Sequence, residues 1–378
     1  MTIALQIVAT GALVGVAASL VGTFLLLRGR SLASDAIGHA IVLGIVLVWL
    51  ATGATSGPLQ LLGAATAGVA TVWIADALGR TRRVADDAAI GLTFPALFAL
   101  GVLLLNVYAR DVHIDAHTVL LGEIGFVWLD TVPILGVAVP DALVGLTVVT
   151  LVNLAFVTTF FKELEVGTFD PALATAFGFA PGALGGALLA LTSVTAVASF
   201  DAVGVVLFVA FTIVPAATGY LLVDRLSRIL VLAAAVAVAS SVLGYLAATA
   251  ADVSIGGGMA AATGVFFALA LAFGPRYGLL AQRIRRRSER DANENRALAV
   301  HLYQHAGTPD AGEENVVGAL RDHLRWSEGK ARDVVARSLD AGWIDRDGER
   351  LALTDRGRAA AREILHPGAA RRAAPAGS

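Results

Sequence analysis

The chain contains no cysteine among its 378 residues, which removes disulfides, thiolate metal sites and thiol redox chemistry. It also lacks any Gly-x-x-x-x-Gly-Lys-Ser/Thr run, so no phosphate loop of that kind is present for ATP hydrolysis and the protein is not expected to be an enzyme. Charge is scarce: only 15% of residues are Asp, Glu, Lys or Arg, and their net of −2 points to no class of partner. No Lys or Arg precedes the first apolar run, and that run is too long for a secretory leader, so no cleaved signal peptide is expected.

What the chain does have is apolar sequence, 57% of residues with a mean hydropathy of +0.74. Runs such as "VLAAAVAVASSVLGYLAATA" at 231–250 match the ~20 residues a helix needs to cross a hydrocarbon core. Nine spans are expected, near 3–27, 33–52, 59–78, 88–107, 142–161, 182–199, 202–223, 229–250 and 256–274. Positive charges test that count. Arg28 and Arg30, then Arg80, Arg82 and Arg83, then Lys162, then Arg225 and Arg228, then Arg276 with "RIRRR" at 283–287 all fall on one side, against Arg110 alone on the other. The expected topology in the cell (inner, cytoplasmic) membrane is therefore an outside N-terminus and a cytoplasmic C-terminal region. The stretch 116–139 is apolar but broken by Glu123, Asp130 and Pro133, and reads as a re-entrant or tilted segment.

From Arg283 the composition becomes that of a soluble domain. "ENRALAVHLYQHAG" and "EENVVGALRDHLRW" have helical apolar spacing, and "SEGKARDVVARSLDAGWI" reads as a helix closed at Gly342. "WIDRDGERLALT" reads as strand, Asp-Gly turn, strand, and "DRGRAAAREIL" as a last helix. Three helices, a two-stranded wing and a helix are the winged-helix order. The fold class is thus an all-α polytopic membrane protein with about nine transmembrane helices plus a small α+β winged-helix domain. The domains are expected at 1–287 and 288–366, with a disordered tail at 367–378. Residues 288–378 carry 14 Lys/Arg against 15 Asp/Glu. A DNA reader shows a basic footprint, so DNA binding is not expected and a dimerisation or ATPase-contacting role is favoured. His301, His305 and His323 read as solvated surface histidines rather than metal sensors.

"SLASDAIGHA" at 31–40 places Asp35 and His39 four apart on one helical face where a span begins. Ser34 and Asp35 are compatible with a plain helix cap. A hard carboxylate and an imidazole one turn apart also suit Mn, Zn or Fe(II), and charged groups at membrane depth are usually functional. Glu123, an acid in an apolar stretch, is the natural third ligand. His113, Asp115 and His117 form a secondary candidate cluster on the outer side. "FKELEVGTFDPALATAFGF" at 160–178 reads as a short helix along the membrane face, started by Pro171 after the cap-like Asp170. It serves either as a connector or as a surface on which a motor pushes.

Five ordered blocks resemble the membrane permeases of ABC importers for manganese, zinc and iron: "LLLRGRSLASDAIGHAIVLGI", "DDAAIGLTFPALFALGVLLL", "IDAHTVLLGEI", "KELEVGTFDPALATAFG" and "VGVVLFVAFTIVPAATGYLL". The resemblance runs over residues 3–274. It implies a homo- or heterodimer of permeases on cytoplasmic ABC ATPase subunits, fed by an extracytoplasmic metal-binding protein, with a transported divalent ion and no permanently bound cofactor. It also implies that Asp35 and His39 are the intramembrane metal-binding pair, that Glu123 is a further ligand, and that Lys162, Glu163, Phe169, Asp170 and Pro171 belong to the ATPase-docking stretch. Two features depart from the pattern. Val42 stands where a helix-bending proline is usual. The appended winged helix resembles longer members of the manganese/iron branch with a metalloregulator-like tail.

Two other readings compete with this one. In the first, the protein is a gradient-driven secondary metal-ion transporter or channel with Asp35 and Glu123 as ion sites; no internal repeat supports it. In the second, it is a membrane-anchored regulator, but nine spans exceed what anchoring requires.

Overall fold

The computed structural model describes residues 2–53, 58–108, 124–134, 137–275, 277–309 and 311–366. The chain divides into two compact units, Met1–Leu279 and Leu280–Ser378.

The first unit is helical. In chain order its long helices are α1 (Ile3–Leu27), α2 (Leu32–Thr52), α3 (Pro58–Arg80), α4 (Asp86–Tyr108) and α5 (Asp141–Thr159). Two short helices follow, α6 (Phe161–Phe169) and α7 (Pro171–Ala176), then α8 (Pro181–Leu222), α9 (Leu226–Ala251) and α10 (Ile255–Phe273). Among the described residues nine helices are long and apolar enough to span a bilayer, because α8 counts as two, Pro181–Phe200 and Ala202–Leu222. Gly204 separates its halves with φ +73°, a backbone state that a residue with a Cβ rarely adopts.

The centre is α1, which packs on α5, α8 and α9, while α2, α3 and α4 group beside it and α10 lies on α9. Val14, Ala18, Phe208, Phe211 and Ala237 meet in the main core. Elsewhere large apolar side chains stand fully outward, Trp73 at 75% and Val231 at 72% exposed. Apolar surface on that scale is a liability in water and the normal state against lipid.

The described part of the stretch read as re-entrant or tilted contains no long helix. Ile124–Phe126 is a single 3₁₀ turn, and β1 (Thr131–Ile134) pairs antiparallel with β2 (Val137–Pro140), in register Thr131 to Pro140. Pro133 removes a helical donor and its neighbours are β-branched, so a hairpin is the better local solution. Ile124 is buried in the main core, and Gln6 Nε2 donates to the Ala138 carbonyl at 3.4 Å, fixing the hairpin to the start of α1.

The second unit comprises α11 (Leu279–His305), α12 (Ala311–Glu314), α13 (Leu320–Leu324), α14 (Glu328–Asp340), β3 (Ile344–Asp347), β4 (Arg350–Leu353) and α15 (Asp355–Leu365). Leu298, Leu302, Leu320, Trp326, Val334, Ile344, Leu351 and Ala361 form its core. Ser327 Oγ and Thr354 Oγ1 accept from Lys330 N–H and Gly357 N–H and so cap α14 and α15. The sequence 313–326 has helical spacing, yet 315–319 is not helical. Val316 instead bridges Arg350 on the hairpin edge, where its backbone groups find partners. Residues 367–378 lie outside the described residues.

Candidate functional site

The Asp35–His39 pair is set by the local geometry of α2. The helix starts at Leu32, Ser31 makes no side-chain cap, and Ser34 Oγ donates to the Ser31 carbonyl at 2.9 Å. Neither Ser34 nor Asp35 serves as a cap, so the capping alternative does not describe this helix. Asp35 sits inside the first turn, and one turn later His39 brings its Nε2 to 3.5 Å from Asp35 Oδ1.

Two rings of α4 frame the imidazole. Phe94 stacks on it at 5.6 Å between centroids and 22° between planes, and Phe98 meets it edge-on at 5.7 Å. On the adjoining face of α2, a Cβ at Gly38 would stand 2.8 Å from Val205 Cγ1, next to the break in α8 at Gly204. Any larger residue there would have to displace Val205. Aromatic walls and a broken helix thus hold both polar side chains at one level of the bundle. They are not sealed inside the single chain: 39% of Asp35 and 31% of His39 remain exposed. Val42 lies within an uninterrupted α2. Glu123, His113, Asp115 and His117 lie outside the described residues.

One end of the bundle gathers the basic turns and the 161–176 stretch. Arg28, Arg30, Asp76, Arg80, Thr168 and Pro171 line a cleft there of about 460 Å³. Arg30 pairs with Asp76 at 3.0 Å, and Arg28 Nε donates to Thr168 Oγ1 at 3.1 Å, tying the α1–α2 turn to α6. Burial, with the neighbouring Arg30 charge, lowers the Arg28 guanidinium from its ordinary value.

Of the two short helices, α7 starts at Pro171 as the sequence suggests, and α6 before it is an additional one. Asp170 Oδ1 accepts from Leu173 N–H at 2.9 Å, and Pro171 occupies the first turn, where its missing N–H costs nothing. Leu164 is fully buried against Leu20, Phe24, Val157, Leu188, Leu226 and Leu230. Lys162, Phe169, Asp170 and Pro171 face outward and Glu163 partly so, with Phe169 at 60% exposed. One face of α6 is therefore seated in the bundle and the other presents mixed charge and an aromatic ring.

Sequence reasoning missed Phe94 and Phe98, whose role needs the α2–α4 contact, and it missed Asn153. Asn153 is buried in α5, and its Nδ2 donates to Thr195 Oγ1 at 2.8 Å and to the Ala17 carbonyl at 3.2 Å. The amide in "TLVNLAF" was the available signal, since a polar group at membrane depth needs a partner on a neighbouring helix.

In the second unit Glu294 is only 12% exposed and binds Lys330 at 2.8 Å, Arg337 at 2.7 Å and Arg290 at 3.0 Å. Burial raises its carboxyl, but hydrogen bonds from Lys330, Arg290 and Arg337 outweigh it and hold it below the ordinary value. Arg332 pairs with Glu328. The cations of α14, the helix that would read DNA in a winged domain, are thus matched within the unit.

Nine apolar helices among the described residues, a polar pair on the second, and a short helix seated across the end that collects the basic turns define a multi-pass membrane protein. The chain belongs to the ABC 3 transport family, whose model matches residues 1–274. It is 40% identical over 353 residues to the zinc transport system membrane protein TroD of Treponema pallidum (strain Nichols), covering 93% of this chain and 96% of that protein. An alignment of that length takes in much of the second unit as well. It is 44% identical over 280 residues to the manganese transport system membrane protein MntD of Bacillus subtilis (strain 168), covering 74% of this chain and 95% of that one. Among solved structures, a chain of PsaBC from Streptococcus pneumoniae in complex with Fab matches with a TM-score of 0.62 at 28% identity, over 75% of this chain and 96% of that chain.

Proposed function

We propose that the protein is the membrane subunit of an ATP-driven importer of a divalent transition-metal ion (Mn, Fe or Zn), and that Asp35 and His39 line the path of that ion. The carrying observation is the pair itself: two ligand-type side chains one turn apart, 3.5 Å from each other, framed by Phe94 and Phe98, and open on the face of the single chain. Polar side chains at membrane depth face protein or a cavity rather than lipid. That openness supports a second permease subunit, identical or related, closing the path across the same face.

The ion is cargo, and no permanent cofactor is assigned. Hydrolysis belongs to a cytoplasmic ABC ATPase, docked on the outward face of α6 and α7 through Lys162, Glu163, Phe169, Asp170 and Pro171. An extracytoplasmic binding protein delivers the ion. Relatives named for manganese and zinc support the class of cargo. The family match displaces the gradient-driven transporter or channel. The gathering of basic turns beside α6 supports a cytoplasmic location for that end, hence an outside N-terminus. The element order of the second unit supports a winged helix, and the internal pairing of Lys330, Arg332 and Arg337 favours a regulatory role without DNA.

The test is uptake of Mn²⁺ and Zn²⁺ by cells carrying Asp35→Ala or His39→Ala, with membrane insertion monitored. Each variant is expected to insert and to lose uptake. Wild-type uptake by both would remove the pair from the path.

A further inference from the structure

In the second unit α11 carries His301 and His305 one turn apart, and α13 carries His323. One ring nitrogen from each lies within 4.8 Å of those of the other two. The rings face one another at centroid distances of 4.7, 5.4 and 5.7 Å. Glu314, at the end of α12, adds a carboxylate: its Oε2 pairs with His305 Nδ1, and its backbone carbonyl lies 3.4 Å from His301 Nε2. His301 is 94% buried, with 6% of its surface exposed. Reading these histidines as solvated surface residues is therefore incorrect for His301, and the other two turn toward it.

We propose that His301, His305 and His323 form a divalent-metal site in the second unit, distinct from the membrane path, with the Glu314 carboxylate orienting His305. Three imidazole nitrogens within 4.8 Å of one another make the His₃ set of an open zinc site, and the Glu314 carboxylate paired with His305 Nδ1 is the kind of partner that orients a ligating histidine. Nitrogen-rich sets place Zn²⁺ well ahead of Mn²⁺, which prefers oxygen donors. Without an ion, three histidines crowded together have one carboxylate between them, which is poor use of a partly buried corner. With one, α11 and α13 are joined at a single atom. The site itself does not rest on the function proposed above. Its use as feedback on imported metal does, through the cytoplasmic placement of this unit.

The experiment is equilibrium dialysis of the full chain against Zn²⁺ in detergent, in a background of Asp35→Ala and His39→Ala so that the membrane pair does not contribute. Adding His305→Ala and His323→Ala, both at partly or fully exposed positions, is expected to remove one bound equivalent; equal stoichiometry overturns the site. Wild-type protein supplies a readout free of folding effects. Saturating Zn²⁺ should protect His305 and His323 from diethyl pyrocarbonate, measured by mass spectrometry of the peptides, and unprotected histidines overturn the proposal. Mn²⁺ at equal concentration should fail to displace Zn²⁺, and ready displacement contradicts a nitrogen-rich site. A plain His305–Glu314 ion pair gives neither the lost equivalent nor the protection.

Discussion

Replacing Leu164 with Ala tests how α6 is held, and the structure supplies the size of the effect. Leu164 is fully buried among six apolar side chains contributed by α1, α5, α8 and α9. It lies outside the nine spans, so when α6 lifts from its seat this side chain meets water and the ordinary hydrophobic effect applies. Leu→Ala in a core costs 2–5 kcal/mol, and a short helix that can settle into the space belongs near the lower end, about 2–3 kcal/mol. At ~1.36 kcal/mol per factor of ten, the lifted state becomes about 30- to 160-fold more populated. Amide hydrogen exchange across Phe161–Phe169 should accelerate by that factor, while exchange in α1 and α9 stays close to wild type, because local opening is independent of global unfolding. Phe169→Ala is the counterpart on the same helix. At 60% exposed it contributes little to the seat, so exchange should hardly change while ATP hydrolysis uncouples from transport. Equal, small changes in exchange from both variants would refute the division of α6 into a seated and a presenting face, and coupling untouched by Phe169→Ala would place the docking surface elsewhere.

Asn153→Leu removes the amide that joins α5 to α1 and α8 and should lower bundle stability by about 1 kcal/mol, the scale of an interhelical hydrogen bond in a membrane; a thermal or denaturant midpoint in detergent at or above wild type would count against it. Glu294→Gln should destabilise the second unit by leaving Lys330 without its anion and Arg337 with Asp291 alone, read from the circular dichroism of its melting. Glu294 is held below its unfolded value near 4.5, so its contribution is complete above that pH and is lost as the pH falls through the lower folded value. The wild-type unit should therefore lose stability on acidification through that window, and the variant should lack that part of the decline; identical acid limbs would contradict the assignment.

The nine spans, the side that collects the arginines, the helix opened by Asp170 and Pro171, and the order of elements in the second unit follow from local sequence. Each depends on an apolar run of sufficient length, a charge at its end, or a cap and turn residue next to the element it shapes. The pairing of Asp35 with His39 is local in the same sense, because one turn of α2 joins them. What tertiary structure decided is everything that needs two distant segments to meet. Phe94 and Phe98 stand over His39 because α4 packs on α2, and the gap at Gly38 is filled by Val205 from beyond the break in α8. Thr131–Ile134 and Val137–Pro140 became paired strands, and Val316 left its helical pattern for a bridge to Arg350, since backbone groups there found partners that periodicity cannot name. His323 joins His301 and His305 in the same way: their separation in sequence conceals the site, and the packing of α13 on α11 creates it.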